Sequence, residues 1–190
     1  MPSFPNNSSD PPRSITLTDE VGQSLPCSIE HSFTQAGTTY FLLLPLDIPI
    51  TIIAWESDRD DAAATWVEDN REIDRIFEDA KAVLAEQNLT LERAAYTLTV
   101  SGELPEPDED DILTLEIETE DDTLESEQFQ FLTHFYHQEQ EYEIYTPLDP
   151  LLLFARQTPE GNVAILSLEE LQNIQPQLQE ILVRELDREN

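Results

Sequence analysis

Three histidines, one cysteine and a large excess of carboxylates are the side chains here that could do chemistry. The histidines are His31, His134 and His137, and His134-x-x-His137 could ligate a metal together with a nearby carboxylate. On a strand, residues three apart point to opposite faces, so this pair converges only if a turn begins between them. No C-x-x-C or H-E-x-x-H accompanies it, so the three are read as histidines at strand ends, and no metal or other cofactor is expected. Cys27 is the single cysteine. It excludes an internal disulfide and reads as a small apolar filler on a strand, in a reducing compartment.

The carboxylates number 41 against nine basic residues, a net charge of −32, and Lys81 is the only lysine. A glycosidase-type acid and base need one raised pKa in a closed cleft, and no sequence mark distinguishes such a pair. The run Asp58-Arg59-Asp60-Asp61 starts like a calcium loop, but its sixth position lacks glycine and its twelfth is Asp69 rather than Glu. It reads as a solvated charge run. There is no G-x-S-x-G, and four glycines leave little room for a phosphate-cradling loop. No catalytic residue emerges.

The charge also excludes partners. Nucleic acids and anionic headgroups are bound by Lys and Arg neutralising phosphates, so this surface repels both. The longest apolar run, residues 40–46, is far too short for a bilayer, so no membrane insertion is expected. Residues 1–13 lack a basic start and an apolar core, so no secretory signal is read and the expected location is cytoplasmic.

The elements that must position these groups come from a repeated phrase. Residues 29–55 superimpose at a spacing of 102 on residues 131–157 of the later stretch at 129–157: Phe33 on Phe135, Tyr40 on Tyr142, and Pro45-Leu46-Asp47 on Pro147-Leu148-Asp149. Each copy alternates as β-strands do. The expected fold class is α+β, two related antiparallel β-meander units, each followed by an amphipathic helix. The expected boundaries are a disordered tail at 1–14, a first unit at 15–101, an acidic linker at 102–111 and a second unit at 112–190.

Within the first unit, strands at 15–18, 24–33, 38–44 and 50–55 make a four-stranded meander. Asp69 or Asn70 caps a helix to about Gln87 with Ile73, Ile76, Phe77, Ala80, Val83 and Leu84 on one face. Asn88 is its left-handed stop, and residues 95–100 form a strand. In the second unit, 112–118 alternates apolar and acidic residues, and a short strand at 163–166 follows the meander. Ser167 and Glu170 have capping-box spacing, and Pro176 predicts a kink or restart in the last helix.

The Pro-Leu-Asp corners have two readings. In the structural one, proline ends a strand, leucine enters the core and aspartate starts a turn through its own backbone. In the functional one, Tyr40, Pro45, Asp47, Tyr142, Pro147 and Asp149 present paired docking edges to a partner.

The first unit opens Thr16-x-x-Asp19-Glu20-x-Gly22 and ends Tyr40-x-x-Leu43-x-Pro45-Leu46-Asp47. In these residues and its acidity it resembles the small bacterial domain of unknown function typified by YrzB-like proteins. It departs from that domain in its more apolar 48–55. From about Ile15 to Leu186 the chain resembles the related uncharacterised cyanobacterial and plastid family. There an acidic linker precedes a second unit ending Tyr142-x-Ile144-Tyr145-x-Pro147-Leu148-Asp149-Pro150-x-Leu152. The resemblance implies a cyanobacterial or chloroplast-lineage protein, and it carries over no functional residue.

The function expected from these features is a non-enzymatic acidic interaction protein, an accessory or assembly factor in a photosynthetic cell, whose field steers a basic protein partner. The alternatives are an acidic nucleic-acid mimic that occupies a basic protein, and a hydrolase with dispersed carboxylates. The oligomeric state is left open.

Overall fold

Alternation between apolar and polar residues becomes strand at β1 (Ser14–Thr18), β2 (Ser24–Gln35), β3 (Thr38–Pro45), β4 (Ile48–Trp55) and β5 (Ala64–Trp66). Helix α1 (Asn70–Ala85) and strands β6 (Thr90–Arg93) and β7 (Leu98–Ser101) come next. A single 3-10 turn (Glu109–Asp111) leads to β8 (Ile112–Glu118), β9 (Leu124–His137), β10 (Gln140–Pro147), β11 (Leu153–Gln157), β12 (Val163–Ile165) and α2 (Leu168–Arg188). Among the described residues two mostly antiparallel sheets and two helices make the fold α+β. The computed structural model describes residues 14–56, 63–118 and 122–188; the expected tail before residue 14 and the acidic run at 58–61 lie outside the described residues.

Two compact units form. The first takes the described parts of Met1–Leu17, Cys27–Leu44 and Leu152–Asn190. Its sheet runs β1-β2-β3-β11-β12, and Leu166, Ile174 and Leu178 form a core with Phe33, Tyr40, Phe154 and Leu171. The expected capping box starts α2: Glu170 N–H donates to Ser167 Oγ at 3.3 Å while Ser167 N–H donates to Glu170 Oε2 at 2.9 Å. Of the kink or restart expected at Pro176, the restart does not occur: α2 runs on through it. Pro176 lies on the exposed side, and so does Gln172, whose carbonyl loses its helical donor and can turn to water.

The second unit takes Thr18–Pro26 and Pro45–Leu151. Its sheet runs β6-β7-β4-β10-β9-β8, with β5 also on β4. Helix α1 covers one face. The Asp69 carboxylate accepts from the N–H groups of Arg71 and Glu72 at 2.8 and 3.1 Å, and Ile73, Ile76, Ala80 and Leu84 point into the core. Asn88 ends the helix as expected, with φ +61°. They pack against Ile50, Ile52, Leu132, Phe135, Tyr142 and Ile144. Strand β6 escaped the sequence reading because Leu91 is its only apolar residue, yet Leu91 is almost fully buried. Residues 95–97, expected in a strand, instead turn the chain into β7, with Tyr96 at φ +66°.

The strand pairing corrects the four-stranded meander. β3 does not pair with β4. Neither Leu46 nor Asp47 adopts the positive φ a two-residue hairpin requires, so the chain is carried onward. β4 joins β10 and β7 instead, where its unbroken apolar run is buried on both faces. β11 behaves likewise and pairs with β3. The registers correspond: Tyr142 lies opposite Ala54, and Tyr40 lies opposite Arg156.

The hairpins themselves match at the spacing of 102. Their turns place Ala36 and Gly37 at φ +49° and +81°, and Gln138 and Glu139 at +48° and +68°. Phe33 stacks on Tyr40 and Phe135 on Tyr142, each with ring centroids 5.2 Å apart. At the corners, Leu46 N–H donates to Pro26 O and Leu148 N–H to Gln128 O, both at 2.9 Å.

The boundaries 15–101 and 112–190 divide the chain by sequence, whereas the compact units divide it by contact and are interleaved. The acidic stretch at 103–111 falls inside the second unit. It is fastened there: Leu104 packs on the core, Gln130 donates to Pro105 O at 2.9 Å, and Asp108 caps the 3-10 turn by accepting from Asp110 N–H at 3.3 Å.

Candidate functional site

Strands β4, β10 and β9 lie side by side, and their period of two sends alternate side chains to the face turned away from α1. Three cross-strand rows follow from the register: Trp55–Glu141–Tyr136, Ile53–Glu143–His134 and Thr51–Tyr145–Phe131. A bulge makes the last row possible. Between Ile144 and Tyr145 the pairing skips Leu132, which turns into the α1 core. Phe131 and His134, three residues apart, thereby share the outer face, their rings 6.4 Å apart and nearly parallel.

Glu143 is the centre of this face. Trp55 Nε1–H and the Tyr145 hydroxyl both donate to its Oε2 at 2.5 Å. Both donors are neutral, and among the described residues no lysine or arginine pairs with this half-buried carboxylate. Burial raises the Tyr145 pKa above its ordinary 10, and the bond to Glu143 and its charge raise it further. The charge of Glu141 does most to raise that of Tyr136. The same face carries further rings: Phe131 meets Tyr145 edge-on at 5.7 Å, His134 meets Tyr136 edge-on at 6.1 Å, and Trp66 lies 5.3 Å from Phe129. Ile53, Phe129 and Tyr145 are the buried floor, whereas Tyr136 is 61% exposed.

Trp66 and Phe129 also line an open groove of about 930 Å³. Its walls bring Asp19, Glu68, Asp74 and Glu127 together with, among the described residues, one arginine, Arg93. That arginine is already engaged: Nη1 pairs with Asp74 and Nη2 donates to Asn70 Oδ1 at 3.0 Å. Tyr96, 54% exposed, stands at the rim.

The histidines part as strand geometry requires. His134 is on the Glu143 face, whereas His137 Nδ1 meets Asp79 Oδ2 of α1 at 2.7 Å; His31 is half-buried on β2. Among the described residues no three metal-ligating side chains converge. Cys27 is fully buried on β2, and burial pushes its thiol up to about 11. Of the sequence-chosen docking residues, Tyr40 is half-buried against Phe33. Tyr142 is buried beneath α1, its hydroxyl donating to Glu72 Oε1 at 3.0 Å. Pro45 is buried, Asp47 and Pro147 are half-buried, and Asp149 is exposed. Sequence reasoning missed Trp55, Glu143 and Tyr145. The one available signal was an acid among apolar residues in β10, and its tryptophan partner is 88 residues away.

The model of a family described as protein of unknown function (DUF3727) matches residues 88–185, just over half the chain. The chain belongs to the DUF3727 family. A second model, also described as protein of unknown function (DUF1292), matches residues 20–85. Neither the curated proteins nor the solved structures contain a match. The DUF3727 segment begins just past α1 and supplies Glu143, Tyr145, His134 and Tyr136, while Trp55 comes from the DUF1292 segment.

Proposed function

We propose that this protein is a non-enzymatic acidic interaction protein that captures a basic protein partner, as an accessory or assembly factor in a photosynthetic cell. The observation that carries the reading is the groove lining, where four carboxylates meet one arginine that an internal ion pair has already consumed. With a net charge of −32, such a lining speeds encounter with a cationic surface and repels an anionic one. The test is capture on immobilised full-length chain, followed by rebinding of the purified retained protein. A basic protein that binds at low salt and leaves at about 0.5 M salt, where charges are strongly screened, supports the reading. A retained protein that is acidic, or binding indifferent to salt, contradicts it.

We infer also that the chain is one β-hairpin-plus-helix unit used twice, with the segments past the Pro-Leu-Asp corners exchanged. The matched turns, stacked Phe–Tyr pairs and corner hydrogen bonds support this. So do the helices: Ile73, Ile76 and Ala80 follow Asp69 at the same intervals at which Leu171, Ile174 and Leu178 follow Ser167. On this reading the corners, with Leu46 and Asp149 exposed, present two related docking edges.

The mimic reading gains from one observation. A mimic needs carboxylates on a rigid support, and residues 103–111 are fastened by Leu104, Gln130 and Asp108. Leu104→Ser releases the first of these anchors. A mimic would then lose affinity for its basic target, whereas capture through the groove would be unchanged.

A further inference from the structure

Resting on the basic-partner reading, we propose that the face around Glu143 is a receptor for one arginine side chain of the partner's basic segment. The carboxylate is half-buried and held by two neutral donors on the same oxygen, and among the described residues no donor meets Oε1, which is left to accept from a cation. Burying a charge is costly unless a partner compensates it, and the exposed Tyr136 on the neighbouring strand of the same face supplies an electron-rich ring that attracts cations. Arginine suits this geometry better than lysine because its planar guanidinium stacks on rings while donating sideways to a carboxylate. The strands hold Glu143, Trp55 and Tyr145 in fixed register, so the receptor is formed before the ligand arrives. His134 and Tyr136 stand at its open side.

Trp55 is bonded to Glu143 and Trp66 lines the acidic groove, so intrinsic fluorescence reports peptide binding at either, and the variants assign it to the Glu143 face. The experiment titrates hexa-arginine, and separately hexa-lysine, into the full-length protein at low salt. Hexa-arginine is expected to change the emission saturably and to bind about threefold tighter than hexa-lysine. Glu143→Gln keeps an acceptor for Trp55 and Tyr145 but removes the charge, and should weaken hexa-arginine binding about tenfold. Tyr136→Leu, on the exposed rim, should weaken it about threefold. Glu169→Gln, an equal loss of charge on exposed α2, should change it little. Equal weakening by Glu143→Gln and Glu169→Gln overturns the receptor and leaves the acidic-partner reading standing. So does a preference for hexa-lysine. No binding of either peptide to any form overturns the receptor together with the reading on which it rests.

Discussion

Trp55 on β4 donates its indole N–H to the Glu143 carboxylate on β10, 88 residues further along the chain. The bond exists because β4 leaves the hairpin that precedes it and inserts between β10 and β7. Trp55→Phe removes this donor and leaves Tyr145 alone on the carboxylate. It should cost about 1–2 kcal/mol in urea unfolding, the range for a hydrogen bond to a charged group plus a modest loss of packing. A cost near zero would mean that the donor is replaced by water.

Alkaline stability follows from three neutral acids. Burial pushes Cys27 from its ordinary 9.0 up to about 11, and burial, then a carboxylate hydrogen bond, raises Tyr142 and Tyr145 above 10. A folded pKa above the unfolded one gives stability that is whole below the unfolded value and lost as pH rises through the folded value. The thermal midpoint should therefore be nearly level between pH 7 and pH 9, because the carboxylates are already ionised. It should fall from about pH 9, through pH 11 for Cys27, and go on falling above pH 11 as the tyrosines' share is lost. A midpoint that rises above pH 9 contradicts the burial of these groups. In the same frame, Cys27 should resist a thiol reagent at pH 8 until the chain is unfolded.

The turn at Gln138 and Glu139 places two residues with side chains in the left-handed region, whereas the matching turn uses Gly37 at its second position. Glu139→Gly should stabilise the fold by about 0.5–1 kcal/mol, the relief of left-handed strain less the entropy of an added glycine. Urea midpoints compare the two forms. Destabilisation would show that Glu139 makes a contact worth more than its strain.

Local chemistry made much of this fold readable. The stripe from Ile73 to Leu84, the Asp69 cap, the left-handed Asn88 and the Ser167–Glu170 box depend on neighbours a few residues apart, and they stand as expected. The hairpins were readable for the same reason. The pairing of β4 with β10 and of β11 with β3 was not, because strand pairing across a hundred residues leaves no local mark. The docking candidates were chosen for their repetition, and a residue is often repeated because the core needs it: Tyr142 is buried against α1. The Glu143 face depends on register between distant strands and on a bulge at Leu132, and neither is written in composition or spacing.

The most direct measurement follows the two indole N–H signals in a nitrogen–proton correlation spectrum of the full-length chain, with Trp55 assigned by its loss in Trp55→Phe. On titration with hexa-arginine the Trp55 signal, whose proton is held by Glu143, should move saturably, and in Glu143→Gln the same movement should need about ten times as much peptide. If both indole signals stay fixed while amides at 103–111 shift, the cation is held by the acidic stretch and the face around Glu143 is not its receptor.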